Sequence, residues 1–139
     1  MSSTKIAFAM CGSFCTFSKA IPQAQLLKEK GYDIIPIMSQ NASATDTRFG
    51  LAKDFIEKLE KISEKKLINS IKDAEPLGPK NMCDAMVIAP CTGNTLAKLC
   101  NGITDTSVTM AAKSLLRVGK PIILALASND ALGISAQNL

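Results

Sequence analysis

The sequence predicts an α/β fold, a doubly wound parallel sheet with helices on both faces. Three observations predict it. Short apolar runs at Lys5–Met10, Asp33–Met38, 85–89 and 121–127 lack polar alternation, as strands buried on both faces do. Stretches with helical spacing of apolar residues separate the runs. Each run also ends in a tip of small polar residues, the pattern of strand-to-helix turns at one edge of a parallel sheet.

Taken in order, the first strand, Lys5-Ile6-Ala7-Phe8-Ala9-Met10, is bounded by Cys11-Gly12-Ser13. Ala20, Ala24 and Leu27 then recur at helical spacing within residues 17–30. Pro22 shifts the expected helix start towards itself, where proline suits a first turn, and Gly31 suits the end. The second strand contains Pro36, which cannot donate to a ladder, so it belongs near a sheet edge or at a bulge. Residues 39–46 are small and polar and read as a loop. Phe49, Ala52, Phe55, Ile56, Leu59 and Ile62 mark an amphipathic helix from Arg48 to about Lys61. Leu67-Ile68-Asn69-Ser70 reads as a brief strand, and residues 75–80, with two prolines and a glycine, as a turn-rich connection. The strand at 85–89 leads into a helix from about Asn94 to Cys100. A further helix is capped by Thr106 or Ser107, runs to Arg117 or Val118 and ends at Gly119. The last strand ends in Ser128-Asn129-Asp130. Residues 132–139 look like an interrupted segment, so one domain over residues 1–139, short of a C-terminal strand and helix, is expected.

Composition narrows the function. With 139 residues, 47% hydrophobic and 20% charged, the chain can bury one core. The net charge is +4, but the densest lysines, Lys58, Lys61, Lys65 and Lys66, are interleaved with Glu57, Glu60 and Glu64. They read as a solvated helix face with local ion pairs, and aromatics are too few for base stacking, so nucleic acid is not an expected partner. No apolar run approaches the ~20 residues that cross a membrane. Residues 1–5 lead straight into a strand without a signal-peptide pattern. An odd count of five cysteines then points to reduced thiols in a cytoplasm. The chain has no histidine, which excludes histidine acid–base catalysis and Ser-His or Cys-His pairs within it. Only Cys11 and Cys15 are closely spaced, so no metal site is expected.

Parallel strands place every tip at the C-terminal edge of the sheet, where open α/β sheets bind ligands. The tips are Cys11-Gly12-Ser13, Ser39-Gln40, the segment from Pro90 to Thr95, and Ser128-Asn129. The third is the richest. Thr92, Asn94 and Thr95 at a helix start either cap the helix or bond a polar or anionic ligand. Arg48 has two readings, an exposed first-turn residue or a bidentate carboxylate ligand. Cys11, Cys15 and Cys91 near the tips either fill space or offer redox thiols.

Pro90-Cys91-Thr92-Gly93-Asn94-Thr95-Leu96-Ala97-Lys98, continuing to Asn101-Gly102-Ile103-Thr104-Asp105, resembles the Pro-Ala-Ser-Ala-Asn-Thr motif of the flavoprotein family. Gly12-Ser13 is similar to that family's first flavin-binding turn, and Ser39 stands where the family places a phosphate-binding hydroxyl. The resemblance implies a Rossmann-like three-layer sandwich that binds FMN. The implied contacts are Gly12, Ser13, Ser39, Pro90, Thr92, Asn94, Thr95, Ser128 and Asn129. Segments over nearly the whole chain are similar to one branch of the family. They include Thr47-Arg48-Phe49-Gly50, Ala74-Glu75-Pro76-Leu77-Gly78-Pro79-Lys80 and Ser128-Asn129-Asp130-Ala131-Leu132-Gly133. Members of that branch are B subunits of endospore-forming bacteria. They work with an A subunit in the sporulating cell to oxidise dihydrodipicolinate to dipicolinate. By that resemblance the chain is an oxidoreductase subunit inactive without its partner, NADP binds through the partner, and Arg48 meets a dicarboxylate substrate. Family members also assemble as trimers or larger. The family's decarboxylases use a histidine and a Pro-x-Met-Asn-x-x-Met-Trp clamp. Here histidine is absent and Ala127-Ser128-Asn129-Asp130 replaces the clamp, which disfavours decarboxylation of a cysteine-like substrate. A free-standing decarboxylase and a flavin-free structural subunit remain as alternatives.

Overall fold

The structure is a computed structural model that describes residues 3–129 and 133–139. Asp130, Ala131 and Leu132, which complete the fourth tip and open the C-terminal segment, lie outside the described residues. The elements run β1 (Lys5–Met10), α1 (Phe17–Glu29), β2 (Asp33–Met38), α2 (Gln40–Ala44), α3 (Ala52–Ser63), α4 (Ile71–Ala74), β3 (Ala85–Thr92), α5 (Gly93–Cys100), α6 (Ser107–Leu116) and β4 (Ile122–Ala127). The four strands are parallel in the order β2-β1-β3-β4. The chain leaves β1 for β2 on one side and later returns to β3 on the other. A crevice therefore opens beyond the C-terminal ends of β1 and β3.

Alternate residues of β1 enter two cores. Ala7 and Ala9 pack with Ile37, Met86, Leu77, Val108 and Leu115 on the α4 and α6 side. Ile6, Phe8 and Met10 pack with Ile34, Phe17, Phe55 and Leu59 on the α1 and α3 side. Helices on both faces make the three-layer α/β fold the apolar runs predict. Gly31 (φ 95°) and Gly119 (φ 73°) follow the helices they are expected to end. Thr106 closes a reciprocal capping box with Thr109 at the start of α6.

Several boundaries differ from the sequence expectation. Helix α1 starts at Phe17, so Pro22 lies inside it rather than in its first turn. Buried Phe17 meets Phe55 edge-to-face at 4.9 Å. Pro22 and Ser18 are exposed, so water can serve the Ser18 carbonyl that the proline leaves unbonded. The polar loop at 39–46 contains α2, because the Ser39 hydroxyl accepts the Ala42 N–H at 3.1 Å. Helix α3 begins at Ala52, so Arg48 precedes it on a tight turn where Thr47 and Gly50 pair. The brief strand at 67–70 shrinks to one parallel bridge, Ile37 to Ile68. The Ile68 N–H donates to the Pro36 carbonyl, so the proline faces the outer edge and costs no bond to β1. The connection at 75–80 includes a 3₁₀ turn, Glu75–Leu77, directly after α4. Strand β3 runs three residues further than expected, through a cis Ala89–Pro90 bond and an irregularity against β4 between Ile88 and Cys91. Ser135–Asn138 forms a 3₁₀ turn against α5, while Ile134 and Leu139 stay exposed.

One ion pair joins the base of the sheet to the connection after α3, Lys65 Nζ to the Asp33 carboxylate. The Lys65 hydrogen bond holds the Asp33 carboxyl below the usual carboxylate range, against a smaller opposing effect of burial. A group depressed on folding stabilises the fold above its unfolded pKa, and the gain is lost as pH falls through the folded value. Lys65→Met should therefore lower stability at neutral pH and flatten the loss below about pH 4. Denaturant midpoints of both proteins across pH 2–7 check this, and parallel acid profiles would sink it.

Candidate functional site at the strand tips

The crevice beyond β1 and β3 holds two adjoining cavities, of about 460 Å³ and 350 Å³. The larger is bounded by Gly12, Ser39, Thr92, Asn94 and Thr95 of the predicted site. The smaller is bounded by Gly12, Ser13, Thr92, Asn94, Ser128 and Asn129. Gly12, Thr92 and Asn94 form the wall common to both. Pro90 lines neither. It sits over a separate 240 Å³ hollow on the α1 side, while its carbonyl accepts the Cys11 N–H at 3.1 Å and so ties the two tips together. Arg48 also lines neither. It is exposed, with its guanidinium carbon 4.9 Å from the Phe49 ring centroid.

Hydrogen bonds divide the predicted polar groups by what they have left to offer. Thr92 is the N-cap of α5, its hydroxyl accepting the Thr95 N–H at 3.1 Å and donating to Thr95 Oγ1 at 3.1 Å. Thr95 Oγ1 in turn donates to Cys11 Sγ at 3.2 Å. Both threonine hydroxyls thus hold the crevice wall. Capping by Thr92 leaves the exposed Asn94 in the second position of α5, bordering both cavities. An N-cap also leaves the first backbone N–H groups of the helix without intrahelical partners, on a cavity wall at the positive end of α5. Ser39 accepts from Ala42, which leaves its own proton to donate.

Gln40, named with Ser39 as a strand tip, lines the larger cavity, and so do Asn41, Lys98, Asp105 and Thr106, which sequence reasoning did not assign to the site. Gln40 Oε1 accepts the Ser107 N–H at 3.0 Å and fixes the start of α6 to the β2 tip. Lys98 Nζ pairs with Asp105 Oδ1 at 2.9 Å. Lys98 stands four residues after Asn94, one helical turn along the same face, which was the available signal.

The three buried thiols are not activated nucleophiles. Burial raises the Cys11 thiol, and it pushes Cys91 up to about 12 and Cys83 up to about 11. Cys15 and Cys100 are exposed. Alkylation of the native protein at pH 8, read by mass spectrometry, should modify those two rapidly and leave the three buried thiols until unfolding. Rapid labelling of Cys11 or Cys91 would contradict this. Among the described residues no group of three or more Cys, Asp or Glu gathers to hold a metal ion. None of their helices is long and apolar enough to cross a membrane.

Comparison with known proteins bears on this crevice. The flavoprotein family model matches residues 1–137. The chain is 44% identical over 135 residues to the B subunit of dipicolinate synthase from Bacillus subtilis, covering 97% of this chain and 68% of that protein. Its fold superposes on the crystal structure of the dipicolinate synthase B subunit from Bacillus halodurans with a TM-score of 0.86. That match has 40% identity and covers 99% of this chain and 70% of the other. AnUbiX, solved in complex with FMN and dimethylallyl pyrophosphate, shares the fold at a TM-score of 0.74 and 18% identity, over 98% of this chain and 71% of its own.

Proposed function

The chain belongs to the flavoprotein family, and within it to the dipicolinate synthase B subunits; from that premise we propose that its strand-tip crevice holds FMN and that it serves as one subunit of a dihydrodipicolinate-oxidising pair. The single observation that carries this is the convergence of all four tips on two adjoining cavities that share the Gly12, Thr92 and Asn94 wall. Their sizes are those of cofactor sites. The donor set suits the group. Asn94 and the N–H groups at the start of α5 can bond a ring edge or an anionic oxygen, and Ser39 can donate to a phosphate. Gly12 adds no side chain to the common wall. Ser13, Ser128 and Asn129 bound the far cavity. Bound FMN would supply a hydride acceptor.

The residues of this chain orient and exclude water more than they move protons. Among the described residues the one carboxylate on the larger cavity, Asp105, is paired with Lys98, and the buried thiols stay protonated. The proton lost when the ring becomes aromatic therefore passes to water or to a group on the A subunit, which would also carry NADP. Arg48, outside the cavities, would meet a substrate carboxylate brought from the partner's side. Function in the cytoplasm of a sporulating cell follows from the same family premise, as does assembly into homo-oligomers.

Among the described residues no unpaired base lines the cavities, which also favours a second reading, a flavin-free subunit that only stabilises its partner. Flavin titration of the purified chain, followed by dihydrodipicolinate turnover with the A subunit, with and without FMN and NADP, separates the two. We expect saturable FMN uptake and turnover only when both subunits are present. A chain that activates the A subunit yet takes up no FMN would establish the second reading. Carbon dioxide release from a cysteinyl peptide by this chain alone would instead point to a decarboxylase.

A further inference from the structure

The larger crevice cavity carries an anion of its own. Among the described residues its wall holds two charged side chains, Lys98 and Asp105, and they meet at 2.9 Å. The two are not equivalent. The Lys98 side chain is 22% exposed and that of Asp105 61%. Lys98 is rooted on α5, one turn after Asn94, whereas Asp105 belongs to the connection that leads into α6. The rest of the wall favours negative charge. It includes the positive end of α5 and the hydroxyl of the buried Ser39, which has a proton left to donate. Asp105 thus neutralises the cation of a wall that attracts an anion. An ion pair with one partner mostly in water adds little to folding stability. Its effect falls instead on what enters the cavity.

We infer that Asp105 is an internal counterion that sets the anion selectivity of the crevice, holding Lys98 until a phosphate monoester with a larger body displaces it. Free phosphate must break the Lys98–Asp105 pair and gains nothing else that offsets the loss. A monoester whose body extends past Gly12, Thr92 and Asn94 into the adjoining cavity gains contacts there as well. It therefore displaces the carboxylate where the free ion does not. Its phosphate brings about two negative charges. Lys98, held on the wall, turns to that phosphate, and Asp105 returns to water, where most of it already lies. Naming the monoester as FMN rests on the function proposed above. The counterion role rests on the pair and the cavity.

Two substitutions in the whole chain test this, with FMN, riboflavin and inorganic phosphate as probes. Asp105→Asn, at an exposed position, should tighten FMN about three- to tenfold and leave riboflavin, which has no phosphate, unchanged. Lys98→Gln should weaken FMN, and should weaken it more in the Asp105→Asn background than in the unaltered chain. Only in that background is Lys98 free before the ligand arrives, so the two substitutions are not additive. Inorganic phosphate, followed by amide NMR shifts at Asn94 and Lys98, should not saturate the unaltered chain at millimolar concentration. It should saturate Asp105→Asn, and Lys98→Gln should abolish that. FMN affinity that is the same with and without Asp105 would overturn the inference. So would strictly additive effects on FMN, since the pair would then persist beside the ligand. Phosphate binding to the unaltered chain as tight as to Asp105→Asn would also overturn it. A chain that takes up no FMN in any variant, yet binds phosphate only without Asp105, fails the proposed cofactor and upholds the counterion. FMN uptake indifferent to both substitutions does the reverse, and no binding of either probe by any variant overturns both.

Discussion

Gly78→Ala should destabilise the protein by roughly 4 kcal/mol and lower its urea midpoint sharply. Gly78 follows the 3₁₀ turn after α4 and lies under the last turns of α6. A β-carbon built there would stand 1.8 Å from the Ser114 carbonyl oxygen and 2.5 Å from its carbon. Both are backbone atoms of a helix, so no rotamer change relieves the overlap. The α4 turn or α6 must move instead, against the cluster that includes Leu77, Val108 and Leu115. Separating them also breaks the Gly78 N–H bond to Ser114 Oγ at 2.7 Å and the Ser114 bond to the Glu75 carbonyl at 2.6 Å. Overpacking a core costs about 1–3 kcal/mol, and two buried hydrogen bonds add about 1 kcal/mol each. A loss of roughly 4 kcal/mol is a large share of the roughly 5–15 kcal/mol that holds an ordinary domain together. Urea unfolding followed by circular dichroism measures it. Ser114→Ala should cost only the hydrogen bonds, about 2 kcal/mol. Adding it to Gly78→Ala should rescue nothing, because the clash is with the backbone. Recovery in the double variant would show a side-chain clash instead.

Contacts of that kind explain where the sequence was legible and where it was not. Apolar runs report burial on both faces of a strand, a property of each residue's own neighbourhood, so the four strands and their shared edge could be read directly. Pro36 marked an edge strand for the same local reason. Gly78, by contrast, looked like turn punctuation, because its partner Ser114 is 36 residues away. Pro22 misled because propensity placed the helix start near the proline. The start was decided by Phe17, whose ring finds Phe55 far along the chain. At the crevice the four tips were legible as a set, but the division of labour within them was not. Residue types alone could not tell that Thr92 and Thr95 would spend their hydroxyls on holding the wall while Asn94 stayed exposed. Lys98 and Asp105 were not assigned to the site because their place on the wall depends on how α5 and α6 cross, which no local pattern records.

Gly12→Leu should abolish FMN uptake while the protein stays folded. The position separates folding from binding because its surroundings are open. A β-carbon at Gly12 would meet the Phe14 ring at 3.6 Å and Asn41 Nδ2 at 3.8 Å, both ordinary contacts. Its backbone is not in the left-handed region, so a side chain introduces no strain there. Substitution should thus change stability by less than about 1 kcal/mol, as at other unstrained, partly exposed positions. The same openness makes it consequential for a ligand, since Gly12 bounds both cavities and a leucine side chain occupies the wall between them. A cofactor spanning that wall loses its seat. If the clash costs about 3 kcal/mol or more, affinity falls at least about a hundredfold. A graded series through Gly12→Ala and Gly12→Val should show affinity falling with side-chain volume at nearly constant melting temperature. Quenching of flavin fluorescence measures the first and thermal unfolding the second. Asn94→Ala should weaken uptake less, about tenfold, since it removes one hydrogen-bonding group without filling the space. Should Gly12→Leu bind FMN as tightly as the unaltered protein, the flavin cannot lie across the Gly12 wall. The convergence of the four tips would then need another ligand to account for it.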